Sequence, residues 1–374
     1  MGQRSWVEAE TDLPWGGWRF DAAQAPIPDA VRAQVEVDLV DFDGSGASVL
    51  QLSFSDTRFR LLHDDAKATL ARLLALPPEY EVLFLSGGAS AQFALVPLNL
   101  LGPVERAAYV ETGHWSRRAI GEARRYCDVD ILVSGPNSVQ DRIPAVDTNR
   151  VAPECAYLHV TANETAEGIE FDRLPGDLVI PTVGDMTSNF LTRPVDWSRC
   201  ALCYASAQKN LGVSGLTLVV LRRDLLGRAR PETPSAFNYA VQCAAGGRYN
   251  TPPVFAVYLA GLMFRWIERQ GGLPAMDTAA REKSAAIYAA IDASGGFYRC
   301  RAEPGSRSRV NVCFDLPSEP RTEAFLDAAA RAGFLALAGH PSRGGVRVSL
   351  YNTVPLVAAK ALAAFMREYA GRHG

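Results

Sequence analysis

Lysine is nearly missing from this chain: of 38 basic residues only four are lysine, namely Lys67, Lys209, Lys283 and Lys360. Arginine can do most of a surface lysine's work, but it cannot form a Schiff base. Long apolar runs are missing too. None reaches the roughly 18 residues that a membrane helix needs. The N-terminal stretch MGQRSWVEAETDLPW has neither a signal-peptide nor an anchor pattern, so a cytoplasmic location is expected. Charge of one sign is lacking as well: the formal net charge is −3, too small a field to gather nucleic acid or an anionic membrane. Seven cysteines are scattered in an odd count, without the dense spacing of a disulfide framework. Only Cys200 and Cys203 form a C-x-x-C pair. It lies in the apolar stretch WSRCALCYAS, where cysteine behaves as a small hydrophobe. A zinc site would need a second pair or histidines at matching spacing, so no metal is expected.

What is present reads as α/β. At 374 residues, 48% of them apolar, the chain is long enough for two domains or one large unit with a sizeable core. A helix is expected near Asp64–Leu76, with an aspartate cap, and then a strand Glu81–Leu85. A glycine turn leads from there into a helix Ala91–Leu101. Further strands are expected at Tyr157–Val160, Asp177–Val183, Ala201–Ala205 and Leu216–Leu221. Strands separated by helices imply a mostly parallel sheet, with ligands beyond the strands' carboxyl ends. Long helices follow at Val254–Arg269 and Leu273–Ser294. The tail mixes strands and helices (Ser308–Asp315, Glu323–Ala332, Gly345–Tyr351, Val357–Tyr369) and reads as a smaller α/β domain. The expected division is a large domain over 28–268 and a small one formed by 1–27 with 269–374.

Three of the four lysines sit in stretches with helical spacing. Lys209 alone follows an apolar strand and enters a glycine-containing loop, AQKNLGVSGLT, which is a site position rather than a solvated face. Asp185 follows the strand DLVIPTVG; taken alone it reads equally well as a turn or cap aspartate. The turn Ser86-Gly87-Gly88-Ala89-Ser90-Ala91 between a strand and a helix offers a backbone cradle for an anion, or a plain tight connection. Trp115, in TGHWSRR, is an aromatic cover or a core residue. Together, at strand ends and in this order, they meet the four needs of pyridoxal phosphate. These are a lysine, an acid for the pyridine nitrogen, a ring cover and a phosphate cradle.

At this point the chain resembles the phosphoserine aminotransferase family, class-V aminotransferases of fold type I. The likeness runs over nearly its whole length, from about Arg19 to His373. The stretches that carry it are EVLFLSGGASAQFALVPLNLLG, AYVETGHWSRRAIGEARRYC, NETAEGIE, SAQKNLGVSGLTLVVLRRDLLG, YNTPPVFAVYLAGLMF and GGVRVSLYNTVP. The resemblance implies that Lys209 forms the covalent link to the cofactor and shuttles the substrate's α-proton. Asp185 would pair with the pyridinium nitrogen, Trp115 would cover the ring and Thr165 would bond its phenolic oxygen. Gln208 and the backbone of Ala89 and Ser90 would hold the phosphate, joined by Asn250 and Thr251 from a second subunit. That implies a homodimer with shared sites. Arg347 would grip the substrate's α-carboxylate.

Departures from the family pattern fall in the substrate pocket. Where the family has a His-Arg pair after its first helix, this chain has Phe54-Ser55. Ser90 replaces the arginine of the glycine turn. A second His-Arg pair, which the family draws from the neighbouring subunit, is His340-Pro341. The Ser-Gly-Pro segment near the N-terminus is Asp21-Ala22-Ala23-Gln24. The reading that follows is an aminotransferase acting on an amino acid and a 2-oxo acid without a phosphate group. Three alternatives stay open: lyase or decarboxylase chemistry on the same cofactor, a non-catalytic relative, or a phosphoserine enzyme with a rearranged pocket. In the last, Arg58, Arg117, Arg118 or Arg343 would supply the missing charge.

Overall fold

The computed structural model describes residues 16–133 and 141–374. A seven-stranded sheet forms its centre. Across the sheet the strands run Tyr80–Ser86, Leu216–Arg222, Leu202–Ser206, Thr182–Asp185, Leu158–Thr161, Arg106–Val110 and Asp128–Val133. Leu216–Arg222 is antiparallel to both its neighbours, and every other adjacent pair is parallel. Apolar residues fill both faces of the inner strands, as a sheet covered on both sides requires. Phe264 and Leu70 pack on one face, Phe93 and Ile120 on the other.

A separate core joins Phe20 to residues of the C-terminal part, among them Ile287, Phe314, Phe325, Val348 and Met366. Its three-stranded antiparallel sheet is Arg299–Cys300, Asn311–Asp315 and Val346–Ser349. The short strand Trp18–Arg19 pairs with Phe334–Leu335, tying the start of the described chain to its last third. The helix Gly272–Asp292 links the two cores: Leu273 and Met276 belong to the first and Ile287 and Ile291 to the second.

Several boundaries differ from the sequence reading, each for a local reason. The strand expected from Asp177 begins only at Thr182. Asp177 has φ 60°, a left-handed turn conformation that no strand accommodates, and Pro181 has no N–H for a ladder. The strand expected from Ser308 begins at Asn311, because the Ser308 hydroxyl accepts from Val310 N and Asn311 N and holds a turn. The helix containing Lys67 spans Thr57–Leu73 and is capped by Asp56, which accepts from Arg58 N, not by an aspartate near residue 64. Lys283 is buried rather than solvated. Its ammonium donates to the carbonyls of Tyr351 at 2.7 Å and Val354 at 3.0 Å.

Candidate active site

Three neighbouring parallel strands end in polar residues, Thr161, Asp185 and Ser206, and all three line one cavity of about 360 Å³. Just past the last of these strands, Lys209 enters the cavity with 8% of its surface exposed. Burial pushes its amine down to about 8, an effect that the neighbouring Arg347 reinforces and Asp185 opposes. An amine so shifted is deprotonated far more often near neutrality than a free lysine, which makes it a nucleophile.

Asp185 is 5% exposed and accepts from Thr187 N at 3.0 Å. Burial raises its carboxyl above the usual aspartate value, against the pull of Thr187 and Lys209. Tyr204 stands beside it in register on the next strand, and its hydroxyl favours the ionised carboxylate. The same hydroxyl meets His159 Nε2 at 3.0 Å, and the imidazole, pushed down to about 3 by burial, is neutral. Tyr109 stacks on that ring at 4.8 Å. This layer beneath Asp185 was not foreseen, because tyrosine and histidine inside apolar strands read as core.

The glycine turn leads into the helix Ala89–Leu100, whose N-cap, Gly88, has no side chain to cap it. Backbone N–H groups at such a start are unpaired donors with a positive dipole behind them. Gly88, Ala89 and Ser90 line the cavity there, with Ser206 and Gln208, whose side chains meet at 2.5 Å, close by Gly88. On the other side, Trp115 Nε1 donates to Thr165 Oγ1 at 2.8 Å, so the indole and the hydroxyl form one wall. Arg347 Nη1 donates to the Thr165 carbonyl at 3.3 Å, while its buried Nε has no partner among the described residues.

Pyridoxal phosphate fits this constellation on three counts. A buried carboxylate in want of a cation suits a pyridinium nitrogen. An uncapped helix start suits a phosphate. A buried amine held partly neutral suits the covalent link.

The cavity thus brings together Lys209, Asp185, Trp115, Thr165, Gln208, Ala89, Ser90, Arg347 and His340. It also takes in Ala22 and Ala23 of the altered N-terminal segment, and Asn163, Thr187 and Ser188, which sequence reading passed over. Within the single chain the His340 loop lies over its own cavity, with the His340 ring 4.4 Å from His114 and 6.1 Å from Trp115. Phe54 packs against the main core, and Ser55 is exposed and bonds Ser53 Oγ at 2.8 Å. Asn250 and Thr251 are likewise exposed, away from their own chain's cavity, with Asn250 accepting from Gln242 at 2.7 Å. Arg58 faces Asp43 and Asp56, and Arg117 faces Glu111 and Glu167. Arg343 lies outside the cavity and accepts at its carbonyl from Arg301. Arg118 lies over the Trp115 ring at 5.3 Å.

Comparison with known proteins agrees with this geometry. The family model for "Aminotransferase class-V" matches residues 18–357. A phosphoserine aminotransferase of Laribacter hongkongensis is 46% identical over 357 residues, covering 96% of this chain and 99% of that one. One from Acidithiobacillus ferrooxidans is 44% identical with the same coverage. Among solved structures, the phosphoserine aminotransferase of Bacillus circulans subsp. alkalophilus superimposes with a TM-score of 0.91 at 39% identity, covering 95% of this chain and 98% of that one. A PLP-bound phosphoserine aminotransferase from Trichomonas vaginalis gives 0.90 at 35% identity, covering 94% and 99%. The chain therefore belongs to the class-V aminotransferases, within the phosphoserine aminotransferase family, and is a pyridoxal-phosphate-dependent transaminase.

Proposed function

We propose that this transaminase exchanges the amino group of an α-amino acid whose side chain carries no phosphate. The observation that carries the reading is the charge of the cavity wall. Its cationic side chains, among the described residues, are Lys209 and Arg347. Lys209 is taken by the cofactor and Arg347 by the α-carboxylate, for which its free Nε is suited. His340, pushed down to about 4 by burial and by its cationic neighbours, is neutral near pH 7. Among the described residues that leaves no further cationic side chain in the wall of the chain's own cavity for a substrate dianion.

When bound, pyridoxal phosphate supplies an electron sink conjugated to the substrate's α-carbon. The protein's share is positioning and proton movement. Asp185 holds the pyridine nitrogen protonated, with Tyr204 and His159 fixing its carboxylate. Thr165 and Trp115 would set the ring's place, and Lys209 Nζ would take the substrate's α-proton and carry it across the same face of the ring. Phosphate is held by Ala89, Ser90 and Gln208. Arg347 orients the amino acid through its carboxylate.

We further propose a homodimer in which Asn250, Thr251, Phe54 and Ser55 reach the partner's cavity. Their position outside their own cavity supports this. So do the exposed Val37, Val40, Leu50 and Leu61, apolar side chains 62%, 79%, 64% and 67% accessible in one chain. Residues 28–268 would then be the cofactor domain, with 1–27 and 269–374 the smaller one. Seven cysteines, none of them paired, suit a reducing compartment, and we place the protein in the cytoplasm.

A second reading, O-phosphoserine as substrate, is favoured by the 46% identity to an enzyme of that name. The two separate cleanly in kcat/KM. Each charged contact to a phosphate contributes about 1.5–3 kcal/mol. With Ser55, Ser90 and Pro341 where the family has arginine, preference for O-phosphoserine should fall on the order of a thousandfold. The measurement compares O-phosphoserine, glutamate and a panel of uncharged and aromatic amino acids. O-phosphoserine as the best substrate would sink the first reading, whereas activity moving toward it in the double variant Ser55→Arg, Ser90→Arg would support it.

A further inference from the structure

Two helices begin beside the cavity, and their N-termini are treated in opposite ways. Ala89–Leu100 starts uncapped. His114–Ala123, which carries Trp115, is closed by two buried carboxylates from a distant hairpin, Asn163–Glu164 paired with Ile169–Glu170. Glu164 Oε2 accepts from Trp115 N at 2.9 Å and its Oε1 from Ser116 N at 2.8 Å. Glu167 Oε1 accepts from His114 N at 2.9 Å. The first three N–H groups of this helix are therefore all taken by the pair. Both side chains are 0% exposed.

The approach is close enough to dictate sequence. A Cβ on Gly113 would lie 2.5 Å from the Glu167 carboxyl carbon and 2.8 Å from that of Glu164. Glu167 Oε2 is buried without a hydrogen-bond partner among the described residues, and the Arg117 guanidinium stands 3.6 Å from Oε1. Burial raises the proton affinity of both carboxylates, and the nearby Glu167 raises that of Glu164 further. Ser116 Oγ closes only the preceding turn, by accepting from Thr112 N and Gly113 N, and a single polar N-cap side chain would serve the helix at far lower cost than two buried acids. What the pair accomplishes is geometric. Between the two acids in sequence sits Thr165, whose hydroxyl accepts from the Trp115 indole. The hairpin is thus locked to the helix at four points, and the two cavity-lining side chains lie at the junction.

We propose that Glu164, backed by Glu167, is a positioning residue for the cofactor: it sets the depth at which Trp115 and Thr165 stand in the cavity. Shortening it by one methylene draws the helix start toward the hairpin and shifts both side chains. The proposal rests on the cavity being the pyridoxal phosphate site but not on the identity of the amino acid. It is tested first by cofactor binding, measured without any substrate.

The experiment reconstitutes wild type, Glu164→Asp, Trp115→Phe and the double variant with pyridoxal phosphate. Affinity is read together with quenching of the fluorescence component that Trp115→Phe removes. Glu164→Asp should weaken cofactor binding about tenfold, as loss of outer-shell support commonly does. It should also reduce Trp115 quenching and lower kcat while leaving the amino-acid KM nearly unchanged. In the Trp115→Phe background most of that loss should vanish, since coupled residues do not add. If Glu164→Asp fails to fold, Glu164→Gln, which keeps the length and loses one accepting oxygen, should show the same losses in smaller measure. Wild-type affinity and quenching alongside a lowered melting temperature would overturn the proposal, reducing Glu164 to a structural cap. Fully additive losses in the double variant would overturn it as well.

Discussion

Lys209 has two properties that pull in one direction: it is buried, and its amine is pushed down to about 8. A free lysine stays protonated up to about pH 10.4 and cannot attack. Recapture of pyridoxal phosphate by the apoenzyme should therefore speed up as pH rises toward about 8 and level off there. Stopped-flow absorbance across that range would show it, and a rate still climbing at pH values above this would contradict it. Lys209→Ala should lose the borohydride-reducible link and essentially all turnover. Peptide mapping that placed the reduced pyridoxyl group on Lys67, Lys283 or Lys360 would refute the assignment. Lys67 is already paired with Glu81 at 2.6 Å and Lys283 with two carbonyls. That Lys209 is the lysine at the cavity was legible from the chain itself, because scarcity of lysine leaves few candidates and only one follows a strand. Glu164 and Glu167 were in view within NETAEGIE, yet carboxylates in a hairpin give no hint that they will cap a helix from a different part of the chain.

At the scale of elements, Lys283 matters most among the surprises. Its place in an alanine-rich helix suggests a solvated face, but the helix Gly272–Asp292 turns it inward onto the carbonyls of Tyr351 and Val354. Periodicity alone cannot tell which face of an apolar helix will meet a second core. Burial pushes this amine down to about 7 from the ordinary 10.5. The unfolded chain thus binds the proton more tightly than the folded one, and the cost of burying the cation is fully present below about pH 7. Stability should rise as pH climbs from there toward 10.5. Lys283→Met should flatten that rise and, with two carbonyls unpaired, lose about 1–3 kcal/mol at the alkaline end. Chemical denaturation of both proteins at several pH values decides it; parallel curves would show that this lysine does not set the slope. The strand begun too early at Asp177 teaches a related lesson: apolar composition persists across a turn that a left-handed residue and Pro181 impose.

For the whole molecule, the parallel sheet with ligand groups at its carboxyl edge was readable from the alternation of elements. The roles of Phe54, Ser55, Asn250 and Thr251 come only from the family resemblance, since one chain does not place them at its own cavity. A homodimer should therefore be the active species. Sedimentation at assay concentration should find it, and a fully active monomer would refute the shared-site arrangement. The crossing of the chain's ends carries one more consequence. Phe20 belongs to a core otherwise built from residues after 286, and Tyr351 Oη donates to the carbonyl of Ala22 across 329 positions. During synthesis the cofactor domain's strands are all made long before that partner leaves the ribosome. The segment around Phe20, which also walls the cavity through Ala22 and Ala23, reaches the earlier-made domain only through Gln24 and Ala25 and must wait for the rest of its packing until Tyr351 has been made. A ribosome stalled before Tyr351 would hold a nascent chain with its sheet complete and its cofactor cavity open on one side.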